Sequence, residues 1–178
     1  MGEIKPSVVI DIPEELEPEL KETCWMQRVP RKLRQVNPAA YTPKLISIGP
    51  FHHGKPTLDA MENHKTKYCE KFWERDFCKH IREKGIIGVF TGEVSNLRQR
   101  IWDIYAGTFD HVKDMDQLLK VILQDSCFIF ELFLRNYENR FKEKEDITDY
   151  ILRTPWLIKC IVLDLIILEN QLPYFVFT

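Results

Sequence analysis

The chain lacks a strong net charge. It has 25 basic and 27 acidic residues among 178, so its formal charge at pH 7 is −2. A nucleic-acid-binding domain usually has a strongly basic face, so this charge balance gives no support for nucleic acid as a partner. The basic patch over 28–34 is short and follows the acidic stretch 14–22, whereas phosphate-backbone binding needs a broader positive surface.

It also lacks an apolar run that could cross a membrane. The most apolar stretch, 156–168, is interrupted by Lys159 and Asp164, whereas a span needs about 20 mostly apolar residues. We therefore expect a core helix there and no membrane span in this chain. The N-terminus has no basic-then-apolar secretory pattern, so no signal peptide is predicted.

Common catalytic motifs are missing as well. No P-loop, Rossmann fingerprint or nucleophile elbow occurs, and we predict no catalytic residue, no cofactor and no metal. Zinc ligands usually come in tight pairs. The candidate ligands are instead spaced so that most would diverge on a helix. They are His52, His53, His64, Cys69, Cys78 and His80.

The cysteines are odd in number and widely spaced, which favours buried free thiols in a reducing compartment. A nucleophilic role for Cys127 would require an adjacent base and an electropositive setting. Asp125 and Glu131 are expected to raise the pKa of this thiol instead. The five cysteines are Cys24, Cys69, Cys78, Cys127 and Cys160.

Apolar periodicity predicts a mostly α fold with an extended N-terminal segment. The strongest helix prediction is 114–139, where one narrow polar stripe leaves the rest apolar, so this helix is expected in the middle of the domain. A second apolar helix, 156–168, is predicted to begin at Thr154 and Pro155. The predicted helices are 14–26, 58–83, 94–105, 114–139 and 156–168. The stripe comprises Lys120, Gln124, Cys127, Glu131 and Arg135.

The helix predicted over 58–83 has one broad aromatic and apolar face. Lys65 is expected among the charged residues around the remainder. The expected apolar face comprises Tyr68, Phe72, Trp73, Phe77 and Ile81.

One long loop, Tyr41–Gly54, is bounded by proline and glycine. Pro43 and Pro50 force their predecessors out of helical geometry, so the loop is predicted to have a strand-like centre and a turn carrying His52 and His53. Those histidines are expected to hydrogen-bond local backbone and shape the turn. The alternative is a hydrolase or nuclease in which either histidine works with Glu62.

Several charged residues lie within or beside apolar helices. Carboxylates in such surroundings can act as general acids, but a buried charge must be paired to be tolerated. We therefore favour structural ion pairs that fix helix register. The residues concerned are Glu62, Lys65, Asp125, Glu131, Asp164 and Glu169, with Arg31, Arg34, Arg98, Arg100 and Arg135 as expected partners. Asn170 and Gln171 are expected to hydrogen-bond a helix terminus.

An ordered set of short motifs, from about residue 24 to the end, resembles the plant family called domain of unknown function 247. Each piece alone is weak, whereas the order and spacing are specific. The pieces are 28–30 (RVP) with 33–34 (LR), 41–43 (YTP) with 47–50 (SIGP) and 52–54 (HHG), 61–62 (ME) with Lys65, 125–132 (DSCFIFEL), 156–157 (WL) and 164–175 (DLIILENQLPYF).

The resemblance implies a mostly helical plant protein without established enzymatic activity. Family members are usually more than twice as long and end in one transmembrane helix, with most of the chain on the cytoplasmic side. Some are linked to self-incompatibility in grasses, others to sex determination or defence. It therefore implies a cytoplasmic location, at the inner face of the plasma membrane.

The chain departs from the family pattern in three places. Ser126 replaces the usual glycine, the glycine-rich stretch 85–92 has no counterpart, and nothing follows the apolar end at 174–178. We expect an N-terminal extension, 1–23, and a partial family domain, 24–178, truncated at its C-terminal side or packing on a partner.

The predicted function is a non-enzymatic recognition or signalling module with a protein partner. A truncated, non-functional copy is a further alternative.

Overall fold

The computed structural model describes residues 25–79, 95–105, 109–142 and 147–177. Within these residues the only β-type pairing is an isolated bridge between Met26 and Tyr105. This confirms the predicted mostly α fold. The helices are α1 (Arg31–Val36), α2 (Asp59–Glu74), α3 (Ser95–Ile104), α4 (Met115–Asn139), α5 (Tyr150–Arg153) and α6 (Pro155–Leu165), with 3₁₀ turns at Pro38–Tyr41, Pro56–Leu58, Asp76–Cys78 and Tyr174–Phe177.

Helix α4 is the central helix, as predicted. Asp114 caps its first turn by accepting a 2.8 Å hydrogen bond from the Gln117 amide. Residues 125–129 in its middle are buried, whereas Phe130 and Phe133 are 36% and 59% exposed. The polar stripe does not all face water: Lys120 is exposed, but Glu131 is only 2% exposed. This part of α4 packs on α2.

Helix α2 differs from its prediction in two ways. It ends at Glu74, because Arg75 turns to extended geometry with ψ at 149°, and the 3₁₀ turn that follows leaves Phe77 59% exposed. Lys65 was expected on the polar surface but is fully buried. Its position three residues before the buried Tyr68 places it on the side of α2 that meets α4.

Helix α6 begins at Pro155 as predicted but ends at Leu165, three residues early. Only one face is core, formed with Leu157 and Ile161, whereas Val162 and Leu163 are each more than half exposed. The expectation of a core helix therefore holds for one face of α6 only. None of the described helices has the length and apolar character needed for a membrane span.

Several predictions lie outside the described residues. These are the extended 1–13, most of the acidic helix 14–26, the glycine-rich stretch 85–92, and Cys24, Ile81 and His80. The domain division at residue 24 stays a prediction. Trp25 and Met26, the described end of 14–26, are not helical; their amides donate to the Ile104 carbonyl at the end of α3.

Gly49 is expected to tolerate no side chain. Its φ of +73° disfavours an L residue, and an added Cβ would lie 2.7 Å from the backbone oxygen of Gln171. Gly49→Ala should therefore lower the free energy of unfolding by about 2 kcal/mol or more, measured by urea denaturation. Gly54→Ala should be destabilising as well, because Gly54 has a similar φ and its added Cβ would lie 2.7 Å from the Cβ and Cγ of His111. An unchanged stability of Gly49→Ala would contradict the role of the Gln171 contact.

Candidate functional site

In the loop Tyr41–Gly54, the predicted strand-like centre reduces to 46–48, between bends at 44–45 and 49–51, and Gly49 has a φ of +73°. We call 44–51 the extended segment, and from Ile46 onward it is buried in the protein interior. Ile46, Ile48 and Phe51 belong to the core. An extended chain usually satisfies its backbone in a sheet, but the described residues offer it no neighbouring strand. Because buried N–H and C=O groups must be paired, side chains take the place of a strand. We call the residues that bind this segment the clamp.

Asp164 on α6 provides the first part of the clamp. Its two carboxylate oxygens accept hydrogen bonds from the backbone amides of Lys44 at 3.0 Å, Leu45 at 2.7 Å and Ile46 at 2.9 Å. Asp164 is 3% exposed. Three donors on one carboxylate stabilise the negative charge without a cation, so this buried acid has a structural role.

Asn170 provides the second part. Its Oδ1 accepts from the Ile48 amide at 2.7 Å, and its Nδ2 donates to the Ile46 and Asp164 carbonyls, both at 3.0 Å. The bond to Asp164 ties Asn170 to the last turn of α6, as predicted for a helix-terminus hydrogen bonder. Asn170 also pairs with the backbone of Ile46 and Ile48, two residues apart on the extended segment, which sequence reasoning did not foresee.

Lys65 and Asp125 form the third part, across α2 and α4. The Lys65 ammonium lies 2.6 Å from Asp125, 2.8 Å from Glu62 and 2.9 Å from the Ser47 carbonyl. The second oxygen of Asp125 accepts from the Gly49 amide at 2.8 Å. Lys65 on α2 and Asp125 on α4 thus bind each other, and each also binds the backbone of the extended segment.

The charged state of this pair follows from its surroundings. Burial alone would lower the pKa of Lys65. The attraction of Asp125 and Glu62 outweighs this effect, so the pKa of Lys65 is raised above its ordinary value. Burial raises the pKa of Asp125 to about 6, against the pull of Lys65. Both groups are thus ionised at neutral pH. The expectation of structural ion pairs holds for Asp125, although its cation is Lys65 and not one of the five arginines.

A second network joins α2, α4 and α5. The Glu131 carboxylate lies 2.7 Å from the Arg135 guanidinium and 2.5 Å from the Arg75 guanidinium. The Arg135 guanidinium also lies 2.5 Å from the Asp149 carboxylate. Tyr68 donates to Asp149 at 2.7 Å. Glu131 and Arg135 were among the acids and arginines expected to form structural ion pairs, and they do so four residues apart on one helix. The roles of Arg75 and Asp149 were missed, since no local pattern connects them to α4.

His52 lies fully inside the protein. Its Nδ1 is 2.7 Å from the Lys55 ammonium, and its Nε2 is 3.7 Å from the Glu169 carboxylate. Burial, together with the charges of Lys55, Arg28 and Arg34, lowers the pKa of His52 to about 3. The imidazole is therefore neutral and accepts from Lys55. A fully buried ring has no open path to a substrate.

His53 is half-buried, and its Nδ1 has no hydrogen-bond partner. Burial lowers its pKa, and nearby Glu62 opposes this effect. Glu62 is itself engaged by Lys65 at 2.8 Å, so the acid of the hydrolase alternative already binds a cation. The structure brings His53 and Glu62 near each other but leaves His52 out of that pair.

The described cysteines are free thiols. Cys127 is 3% exposed, and its hydrogen bond with Cys69, then burial, raise its pKa. The predicted direction holds, but the first cause is the neighbouring thiol and not the adjacent carboxylates. A thiol that stays protonated is a poor nucleophile.

The candidate zinc ligands are dispersed where the structure describes them. No group of three or more His, Cys, Asp or Glu side chains among the described residues could hold a metal ion. His64 instead stacks on Tyr150, with ring centres 5.6 Å apart.

His52 is expected to make the fold acid-sensitive. Its folded pKa of about 3 lies below the unfolded value of about 6.5. Between these values the unfolded chain binds a proton that the native state does not. Stability is therefore complete above about pH 6.5 and falls as the pH falls, by about 2 kcal/mol at pH 5.

The measurement is urea denaturation at pH 7.5 and 5.0. His52→Gln should remove this part of the pH dependence, whereas His64→Gln should keep it. Equal pH dependence in the wild type and His52→Gln would show that another group is responsible.

Sequence comparison places the clamp within a family. The profile of DUF247, described as a plant protein of unknown function, matches residues 26–178. The chain belongs to the DUF247 family. The motif resemblance is thereby confirmed, and its pieces supply every charged or amide side chain of the clamp: Lys65, Asp125, Asp164 and Asn170.

Two DUF247-like relatives come from Arabidopsis thaliana. The UPF0481 protein At3g47200 is 35% identical over 156 residues, which is 88% of this chain and 30% of the relative. The putative UPF0481 protein At3g02645 is 30% identical over 175 residues, covering 94% of this chain and 30% of the relative. The chain thus spans about 30% of the length of both relatives. No solved structure gives a significant match.

Proposed function

We propose that this chain is a non-enzymatic recognition module that binds a protein partner through the exposed face of α6. Its biological setting would be plant signalling of the kind seen in self-incompatibility, sex determination or defence. The observation that supports it most is the contrast between the clamp and this face. The buried titratable groups of the motifs stabilise the fold, whereas large apolar side chains on α6 are exposed to solvent.

The exposed face of α6 has the composition of an interaction surface. Trp156 and Leu163 on α6 are 61% and 53% exposed, and Ile166 directly after this helix is 67% exposed. Val162 on α6 and Leu168 beyond its end also exceed half; we count Ile166 and Leu168 with the exposed face of α6. Contiguous exposed apolar residues of this kind mark interaction sites, and aromatic anchors contribute much of the binding energy at protein interfaces. We infer a partner that presents an apolar surface of its own, because Lys159 is the single exposed charge within 156–168 and Asp164 is buried.

Photo-crosslinking tests this proposal. A crosslinking side chain at position 166 is used to capture proteins from plant extract, and a captured protein is then purified and titrated into this chain by calorimetry. Leu163→Asp should weaken binding by about tenfold or more, since it places a charge in the interface. Leu33→Asp is the matched control, because Leu33 is a similarly exposed leucine on α1.

The proposal fails if folded wild-type chain yields no protein that binds after purification, or if Leu163→Asp binds as tightly as Leu33→Asp. Co-sedimentation with neutral lipid vesicles that depends on Leu163 would indicate a membrane contact and also contradict a protein partner.

A further inference from the structure

Three cationic side chains from separate parts of the chain meet around His52. Arg28 donates to the carbonyl of Phe51 at 3.1 Å and lies over the ring of that residue. Lys55 reaches the Nδ1 of His52 at 2.7 Å. Arg34 on α1 lies on the other side of the His52 ring. It pairs with the carboxylate that faces the Nε2 of His52.

That carboxylate, Glu169, is the one acid in direct contact with the group among the described residues. It is fully buried, pairs with Arg34, and accepts a 2.7 Å bond from the Val29 amide. Asp110 influences Lys55 from an exposed position but makes no described contact with the three cations. Arg34 is the one of the three cations that Glu169 contacts, and Glu169 acts on Lys55 only from a distance, so a single carboxylate does not neutralise all three.

The cations are held close together although they repel one another. Burial and the charges of Arg28 and Arg34 lower the pKa of Lys55, while Glu169 and Asp110 partly oppose this. All three side chains are only half-buried, and 24% of the Arg34 side chain is exposed. Part of each side chain is therefore open to solvent, although the Nη2 of Arg34 is itself buried beside Glu169.

We propose that Arg28, Arg34 and Lys55 form a binding site for a phosphomonoester dianion. Two guanidinium groups match the oxygen geometry of phosphate, and an ammonium adds a point charge. Three cations that share one carboxylate leave an excess that a dianion neutralises, whereas a carboxylate ligand would not. The phosphate can belong to a soluble metabolite or to a lipid headgroup, since both present the same group.

The site extends what sequence patterns suggest about the basic patch 28–34. The patch alone is too narrow for phosphate binding, but the turn after His52 adds Lys55 from a distant part of the chain. This inference does not depend on the protein partner proposed for α6, because it concerns different residues and a small ligand.

The test uses the full chain with three probes: inorganic phosphate, soluble inositol trisphosphate, and phosphatidylcholine vesicles containing phosphatidylinositol bisphosphate. Binding is measured by calorimetry or co-sedimentation, with chloride matched for ionic strength. We expect saturable binding of inositol trisphosphate or of the vesicles. Lys55→Gln should weaken binding by about tenfold, the effect of losing one charge-assisted hydrogen bond. Lys120→Gln, at an exposed lysine of α4, should bind as the wild type does.

A preference for the soluble probe would identify a free phosphomonoester, and a preference for the vesicles would identify a lipid headgroup. Absence of binding to all three probes, or equal binding by Lys55→Gln and Lys120→Gln, overturns the proposal. If Lys55→Gln fails to fold, the proposal is tested on the wild type, by recording its amide chemical shifts with and without inorganic phosphate. Phosphate should then perturb Val29 and His52 first, and perturbations confined to other residues overturn the proposal.

Discussion

An Asp164→Ala variant is expected to lose about 3–5 kcal/mol of its free energy of unfolding. The substitution removes the acceptor of three backbone amides, those of Lys44, Leu45 and Ile46. A buried donor left without a partner costs about 1–3 kcal/mol, and water can replace the acceptor most easily at exposed Lys44. Since small domains are stable by only about 5–15 kcal/mol, the extended segment should detach or the chain should unfold.

Urea denaturation at neutral pH measures this loss, and amide hydrogen exchange at Ile46 reports whether the segment itself opens. Asp116→Ala is the control, because Asp116 is an exposed carboxylate in a surface pair with Arg98 and should contribute less than about 1 kcal/mol. If Asp164→Ala is no less stable than Asp116→Ala, the hydrogen bonds of Asp164 do not hold the segment.

Lys65→Met should lose a similar amount, about 3–5 kcal/mol, because it leaves Asp125 charged and buried without its cation. The methionine fills much of the same volume, so lost packing contributes little. The loss should come mainly from Asp125, and a second substitution should reveal this. In Lys65→Met/Asp125→Asn the charge is gone while an oxygen remains for the Gly49 amide, so much of the stability should return.

Thermal and urea unfolding of the two single variants and the double variant complete the cycle. Lys71→Met on the same helix is the control, since the Lys71–Glu74 pair is more than half exposed and should matter little. Simple additivity of Lys65→Met and Asp125→Asn would contradict a direct pairing of the two charges.

The sequence predicted the helices best where the signal is local. Helix α4 has an apolar repeat over 25 residues with a capping aspartate in front, and Pro155 marks the first turn of α6. Both signals lie within the segment that they specify, so one chain suffices to recognise them. The end of α2 was harder, because Arg75 leaves the helix to reach Glu131, 56 residues later.

The clamp shows what such patterns leave out. Lys65 stands among charged residues on an amphipathic helix, and nothing nearby distinguishes it from a surface lysine. Its burial depends on Asp125, 60 residues away, and on the Ser47 carbonyl of the extended segment. The pairing of buried acids was predictable as a class, because an unpaired buried charge is unstable. The choice of Lys65 for Asp125 and of backbone amides for Asp164 depends on the tertiary arrangement.

The separation of the clamp along the chain has a consequence for biosynthesis. Ile46 is 118 residues before Asp164, so at about 5–20 residues per second the ribosome needs roughly 6–24 s to supply the acceptor after the segment has been translated. During that interval the apolar residues of the extended segment lack their hydrogen-bond acceptors Asp164 and Asn170. Nascent chains of this protein should therefore depend on chaperones until α6 has emerged.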